Sequence, residues 1–190
     1  MTNIILASSS PYRKELLKRL KIKFSVVSSN INEKKLNNEN AATSAKRLSK
    51  AKAEYVAQQY QQSYIIGCDQ TAEYSDIQIE KPLNYNSACK QLALLSNKKV
   101  NFYSAICLIN KSKNVIYEDV IRFDVQYKNL TTEQIKSYLK DETPYNCVGS
   151  IKSEGLGISL LAEVNSNDPT AILGLPLITL TTMLIKEGVM

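Results

Sequence analysis

Residues 100–109 form an almost uninterrupted apolar run, Val-Asn-Phe-Tyr-Ser-Ala-Ile-Cys-Leu-Ile, and a polar turn near Lys111-Ser112-Lys113 separates it from a second long segment, 115–127. The first has strand character and too few polar residues to face water, so it belongs at the centre of a sheet. The second ends in strict alternation, with Ile121, Phe123, Val125 and Tyr127 set against Arg122, Asp124, Gln126 and Lys128. Two long strands joined by so short a turn form an antiparallel pair. Whatever else the chain builds must pack around that pair.

The remaining segments mix helices and strands without strict βαβ alternation. A short strand at 3–6 leads to a helix opened by Pro11, with Leu16, Leu17 and Leu20 on one face. Residues 23–28 read as a strand, and the polar, Asn-rich stretch 28–40, which carries Glu33, reads as a loop at a cleft edge. A helix is expected over 41–60, with Ala45, Leu48, Tyr55 and Val56 on a buried stripe. Lys52 falls on the same stripe, so its ammonium either snorkels to the rim or points into a pocket. Residues 64–68 are a compact apolar strand ending at Asp69, and 71–80 a hairpin turning at Ser75-Asp76 and closed by Lys81-Pro82. Helices follow at 84–95, with Ala88, Leu92 and Leu95 inward, and at 132–140, capped by Thr131 with Glu133 in its first turn. A turn at 144–149, a glycine-punctuated polar stretch at 150–157, a strand at 158–164 and a loop at 165–170 precede Gly174-Leu175-Pro176, which introduces a last amphipathic helix ending at Lys186. No repeat or low-complexity tract interrupts the 190 residues, a length that suits one domain or two small lobes around a cleft. The pattern is a mixed α/β sheet.

Composition removes several chemistries. The chain has no histidine, so Ser-His-Asp and Cys-His catalysis, His-ligated zinc and His phosphotransfer are excluded. Carboxylates, lysines, arginines, hydroxyls and an oxygen-ligated metal are left. Cys68, Cys89, Cys107 and Cys147 are widely spaced with no CxxC pair, which reads as reduced thiols. The formal net charge of +6 favours an anionic partner. The basic residues are dispersed and no aromatic-basic interleaving forms a nucleic-acid motif, so the expectation is a small polyanion and no nucleic acid. No segment approaches the roughly 20 apolar residues of a membrane span. Met1-Thr2-Asn3 lacks the basic start of a signal peptide, and the cytoplasm is the expected location.

The most chemically suggestive stretch is Leu6-Ala7-Ser8-Ser9-Ser10-Pro11-Tyr12-Arg13. Ser10 is a good N-cap and Pro11 suits the first helical position, where its missing N–H is not needed. Hydroxyls, backbone N–H groups at a helix start and the Arg13 cation would gather around one anion, a phosphate above all. Taken alone the stretch is equally an ordinary capped turn. Asp69, at the end of a buried strand, is either a functional carboxylate or a turn cap.

Read in order, the opening stretch, Gly67-Cys68-Asp69-Gln70, Lys81-Pro82 and Gly174-Leu175-Pro176-Leu177 resemble the Maf family of nucleoside triphosphate pyrophosphatases, across essentially the whole chain. The resemblance extends to residues 130–135 and to the stretch from Gly149. Ser10-Pro11-Tyr12-Arg13, Asp69-Gln70, residues 100–103 and residues 152–157 are closest to the branch acting on 7-methyl-GTP. The resemblance implies one domain over residues 1–190, with a mixed, strongly curved β-sheet flanked by helices in two lobes around an active-site cleft, the Maf/ITPase-like architecture. It implies hydrolysis between the α and β phosphates with a divalent cation, Mg²⁺ or Mn²⁺, and it suggests a homodimer. Ser8, Ser9, Ser10 and Arg13 would bind the triphosphate; Lys52 and Lys81 would lie in the active site. Glu33 and Asp69 would hold the metal, Asp69 would accept the proton of the attacking water, and Tyr12, Gln70 and Glu154 would set base preference. The sequence departs from the family at Glu80, where glycine is common, and at Cys68, where serine or alanine is usual. The alternatives are a dTTP/UTP pyrophosphatase of the same family and a non-catalytic nucleotide-binding regulator of cell division.

Overall fold

The computed structural model of the chain describes residues 3–190. Met1 and Thr2, part of the segment on which the signal-peptide reading rests, lie outside them. The elements run β1 (Ile4–Leu6), α1 (Pro11–Lys18), β2 (Ser25–Val26), α2 (Ala41–Ala57), β3 (Tyr64–Tyr74), β4 (Ile77–Ile79), α3 (Tyr85–Leu95), β5 (Lys99–Asn110), β6 (Val115–Tyr127), α4 (Thr132–Asp141), β7 (Leu161–Ser166) and α5 (Leu177–Lys186). Short 3-10 turns lie at Pro144–Asn146, Val148–Ser150, Leu156–Leu160 and Ala171–Leu173. The strands form one sheet in the order β2-β1-β3-β5-β6-β7, with β4 paired to β3 off that path. β1 pairs in parallel with β2 and β3, whereas β4 on β3 and β7 on β6 are antiparallel. The mixed α/β architecture expected from the sequence is observed, with the long apolar run as the interior strand β5. Among the described residues no helix is long and apolar enough to cross a membrane.

Helix starts follow local chemistry. Ser10, Asn40, Asn84 and Thr131 each accept a hydrogen bond from the backbone N–H three residues on, and Thr131 with Gln134 completes a capping box. Ser75 and Asp76 both have positive φ, 49° and 63°, as a two-residue hairpin turn requires.

Four expected boundaries shift. β3 does not stop at Asp69 but continues to Tyr74, so Asp69 lies within a strand and the first arm of the hairpin is the same strand. Its polar side chain can be there because a lysine meets it. The strand expected at 23–28 shortens to Ser25–Val26, and the helix expected to residue 60 ends at Ala57. Of the strand expected at 158–164, residues up to Leu160 wind as a 3-10 turn and pairing begins at Leu161.

The chain divides into two compact units. The first takes in residues up to Gln70, Tyr103–Ile121 and Asn167–Met190; the second is Thr71–Phe102 with Arg122–Ser166. In the first unit the period-2 alternation of β1, β3 and β5 sorts side chains onto two faces. Ile4, Leu6, Tyr64, Ile66, Cys68, Ile106 and Leu108 pack with Leu16 and Leu17 of α1 and with Leu180, Met183 and Leu184 of α5. Ile5, Ala7, Ile65, Cys107 and Ile109 face the other way, onto Ala53, Val56 and Ala57 of α2. The α2 stripe is built of small side chains, so this helix lies close to the sheet.

The approach is tightest at Gly67. A Cβ there would meet the Ser49 carbonyl oxygen at 2.1 Å and the Ala53 nitrogen at 2.8 Å, both backbone atoms that cannot swing aside. Gly67→Ala must therefore push α2 off β3. Overpacking of this kind costs about 1–3 kcal/mol, which in a chain of this size corresponds to a Tm lower by roughly 3–10 °C. Thermal unfolding of the variant checks it, and an unchanged Tm would mean that the two elements separate without cost.

Candidate functional site

Alternation along β3 places the first group. Ile65 faces α2, so Gly67 and then Asp69 face it too. On α2, Ser49 and Ala53 press on Gly67, and Lys52, just before Ala53, comes level with Asp69. Lys52 Nζ lies 2.6 Å from Asp69 Oδ1 and 2.8 Å from Glu33 Oε1. The lysine and aspartate side chains are each 8% exposed, whereas Glu33 is 46% exposed. Of the two readings of Lys52, the structure selects the inward-pointing one. An ammonium has three donors and no acceptor, and here it neutralises two carboxylates that would otherwise repel one another.

The opening turn is tied to the same strand. The Ala7 N–H donates to the Ile66 carbonyl at 2.8 Å, extending the β1–β3 ladder toward Ser8. Ser8 is buried and its Oγ accepts from Ser10 N at 3.2 Å; Ser9 is exposed and Ser10 caps α1. Arg13 donates through Nη1 to the Cys68 carbonyl at 3.0 Å and to Ser8 Oγ at 3.3 Å, and through Nε to the Gly174 carbonyl at 2.9 Å. Two of its three nitrogens thus brace the turn, in addition to the charge they supply. Burial pushes the Cys68 thiol up to about 11, while Arg13 and Lys52 draw it down and Asp69 raises it. Tyr12, on the first turn of α1, is 36% exposed. Gln70 donates its amide to the carbonyls of Ala171 and Ile172, at 3.0 and 3.2 Å, which leaves its own carbonyl oxygen as an acceptor.

Two residues of this unit support the site in ways the sequence reading did not assign: Gly174, read there only as part of a motif before the last helix, and Asp168, not singled out at all. Gly174 has φ 87°, and a Cβ there would come within 3.3 Å of Arg13 Nε, so the glycine serves both the turn and the arginine. Asp168, 2% exposed, accepts from Ile178 N at 2.8 Å and Thr179 N at 3.3 Å, capping α5 from a distance. It also accepts from Thr170 N at 3.1 Å, so it holds both sides of the 171–174 turn whose carbonyls Gln70 and Arg13 use. An Asp-Pro-Thr run before a helix was the available signal.

Lys81 and Glu154 belong to the second unit. Lys81 is exposed, between Glu80, whose carbonyl accepts from Gln91 Nε2 at 2.8 Å, and a buried Pro82. Glu154 is exposed on a turn in which the N–H groups of Gly155 and Gly157 both donate to the Lys152 carbonyl at 3.0 Å. A Cβ at Gly157 would meet Lys152 backbone atoms at 2.6 Å, so only glycine fits. Glu142 grips the turn through Lys152 Nζ at 2.6 Å and Leu156 N at 3.1 Å, and the Lys152 bond holds its carboxyl below the usual range. Tyr138 accepts from Lys152 N at 3.0 Å. Gln91, unmarked in the sequence reading, accepts from Ser150 Oγ at 2.6 Å while donating to the Glu80 carbonyl, so one amide joins the segments carrying Lys81 and Glu154. Burial, then the Glu154 charge, pushes the Cys147 thiol up to about 11, with Lys152 and Lys81 opposing. Those charges therefore share a neighbourhood. All four cysteines are free, with Cys68 and Cys107 buried.

Among the described residues no three His, Cys, Asp or Glu side chains gather as a metal cage. What converges is Glu33 and Asp69, two hard oxygen donors already meeting on one cation, the Lys52 ammonium. That donor set fits Mg²⁺ or Mn²⁺, which take one or two carboxylates and complete their shell with water and phosphate oxygens.

A mixed α/β protein with a lysine shared by two carboxylates, and a serine-lined helix start tied to the same strand, has the equipment for acid–base chemistry on an anionic substrate. The chain belongs to the family of Maf-like proteins, whose pattern matches residues 3–187. It is 47% identical over 189 residues to the 7-methyl-GTP pyrophosphatase of Methylobacillus flagellatus, covering 100% of this chain and 98% of that one. The 7-methyl-GTP pyrophosphatases of Nitrosospira multiformis and Cupriavidus metallidurans are 44% and 45% identical, covering 98% and 97% of this chain and 94% and 93% of theirs. Among solved structures, the Staphylococcus aureus Ham1 protein is a looser likeness, with TM-score 0.45 and 14% identity over 67% of this chain and 71% of that one.

Because Lys52 serves two carboxylates, its loss should cost more than the loss of either partner. Lys52→Met leaves a buried Asp69 with no counter-charge, and breaking a buried pair this way costs about 3–5 kcal/mol. Asp69→Asn leaves Lys52 with Glu33 and should cost distinctly less. Urea unfolding of both variants at pH 7 checks the order, and equal losses would contradict the shared role.

Proposed function

We propose that this protein is a nucleoside triphosphate pyrophosphatase that hydrolyses 7-methyl-GTP to 7-methyl-GMP and pyrophosphate, keeping modified nucleotides out of the cytoplasmic pool. The observation that carries it is the Lys52 ammonium between Asp69 and Glu33, with the Ser8–Ser10 turn tied through Arg13 to Cys68, the residue before Asp69, in a chain similar from end to end to proteins named for that activity.

In this reading the triphosphate lies against the hydroxyls of Ser8, Ser9 and Ser10 and the N–H groups that open α1, where the helix dipole favours negative charge. Asp69 accepts a proton from the water that attacks the α-phosphorus as the bond to pyrophosphate breaks. Lys52, already held at Asp69, offsets the charge that develops on the phosphate oxygens, and Lys81 has the same task by family resemblance. Glu33 and Asp69 hold the divalent cation, which when bound neutralises phosphate charge and polarises the water.

Tyr12, Gln70 and Glu154 read the base. A carboxylate at Glu154 accepts from both the N1–H and the exocyclic amine of a guanine-type base, and a uracil or thymine has no such pair of donors. Methylation at N7 makes the base cationic, which strengthens the contact with Glu154 and stacking on Tyr12. The tied turn beneath Glu154 suits a specificity role, since a carboxylate on a fixed backbone loses little entropy on engaging the base.

A panel of 7-methyl-GTP, GTP, UTP and dTTP with Mg²⁺, ranked by kcat/KM, tests the reading, with pyrophosphate as the expected product and 7-methyl-GTP first. Release of orthophosphate would overturn the reaction class, and UTP or dTTP ranked first would favour the other branch. Asp69→Asn should lose more than about a hundredfold in rate, the usual worth of a general base, and near-normal turnover would remove that assignment. Glu154→Gln should weaken 7-methyl-GTP selectively; equal losses on UTP would deny it the base.

A further inference from the structure

Glu33 is the most exposed member of the carboxylate–lysine cluster and sits in the irregular stretch between β2 and α2. Such a segment has many conformations open to it, and only some bring the carboxylate to Lys52. What restricts it is a second ion pair. Arg47 of α2 presents Nε and Nη2 to the two carboxylate oxygens of Glu39, a forked arrangement with Nη2 at 2.9 Å. The same Nη2 donates to the carbonyl of Lys34 at 3.1 Å. Glu39 in turn accepts from the Leu36 N–H at 3.0 Å, and Asn32 Oδ1 accepts from Lys34 N at 3.0 Å.

Glu33 therefore lies between Asn32, whose side chain accepts from the Lys34 N–H, and Lys34, whose carbonyl is held by Arg47 on the helix that carries Lys52. The two side chains of the pair are 29% and 11% exposed, too buried to be a loose surface contact. The Arg47 hydrogen bond is the main reason the Glu39 carboxyl is drawn down to about 2, so the pair stays ionised through the neutral range. The Glu39 hydrogen bond, against the opposing effect of burial and with the Glu39 and then the Asp69 charge, raises the Arg47 guanidinium above its ordinary value.

We infer that Arg47 and Glu39 are positioning residues: their forked pair pins residues 34–39 to α2 and so holds the Glu33 carboxylate at Lys52 and Asp69. The inference rests on the functional reading for the use made of Glu33, and on the geometry alone for the pinning. Arg47 acts through the loop, by its contacts with Glu39 and the Lys34 carbonyl. A lysine at position 47 would keep the charge but lose the fork, so Arg47→Lys should restore function only in part.

The test combines hydrogen exchange with a double-mutant cycle on the full chain. In Arg47→Met, which keeps the aliphatic stem, exchange of the Leu36 amide and its neighbours should accelerate by at least about tenfold as the loop opens locally. Tm should fall by no more than about 4 °C. Pyrophosphate release should drop by about 10–100-fold in kcat/KM, the usual consequence of losing an outer-shell partner. Arg47→Met/Glu33→Gln should then be no slower than Glu33→Gln alone, because both changes remove the same carboxylate from the site. Arg47→Lys should fall between the wild type and Arg47→Met. Unchanged loop exchange in Arg47→Met, or losses that multiply in the double variant, would overturn the positioning role. Should Glu33→Gln turn over like the wild type, the metal-ligand reading of Glu33 fails, and loop exchange still decides the pinning.

Discussion

The missing side chain at Gly67 sets the distance on which the candidate site depends. Without a Cβ at that point, Ser49 and Ala53 settle directly against β3, and the next residue on the same face, Asp69, meets Lys52 at 2.6 Å. A lysine has a four-carbon stem and could reach from farther away, but then it would keep its freedom and its water. The close approach removes both. It also explains the small residues of the α2 stripe, Ala53 and Ala57, since larger side chains would lift the helix.

With no histidine in the chain, any acid–base step has to run on groups that ordinarily titrate far from neutrality. Two carboxylates sharing one ammonium are a stable resting arrangement for such groups, and a phosphate entering it would offer the ammonium a third anion. Under the proposed function Lys52 would serve resting carboxylates and substrate in turn, which a histidine ring with two nitrogens in fixed opposition does less readily. The opening turn contributes differently. Because Arg13 commits Nε and Nη1 to the carbonyls of Gly174 and Cys68, much of what the turn offers an anion comes from hydroxyls and backbone N–H groups that the arginine keeps in place.

The parts legible in the sequence were those with a local rule behind them. Period-2 and period-3.6 patterns gave the strands and helices, and capping chemistry located the starts of α1 and α4. Lys52 stood out as a charge on an apolar helical stripe, and Asp69 as a carboxylate directly after a buried strand. The continuation of β3 through Asp69 and Gln70 was not legible, because two polar residues look like the end of a buried strand until their partners, Lys52 and the Ala171 and Ile172 carbonyls, are known. The same holds for Arg47, Glu39, Gln91 and Asp168. Each is an ordinary polar residue in a polar context, and its importance lies in which distant or loop-borne atoms it meets.

Those unread residues share a physical task. Arg47 gathers a carboxylate and a carbonyl of the Glu33 loop, Gln91 joins the segments of Lys81 and Glu154, and Asp168 holds both sides of the turn whose carbonyls Gln70 and Arg13 use. Irregular backbone carries most of the candidate contact residues, and it cannot be ordered by secondary-structure hydrogen bonds of its own. Each loop is instead tied by one polar side chain making two or more hydrogen bonds from a neighbouring element or the loop's own base. A side chain that satisfies several backbone groups at once fixes a loop for the entropy of one residue, so the ties are few, multidentate and placed where a functional side chain is next in the chain.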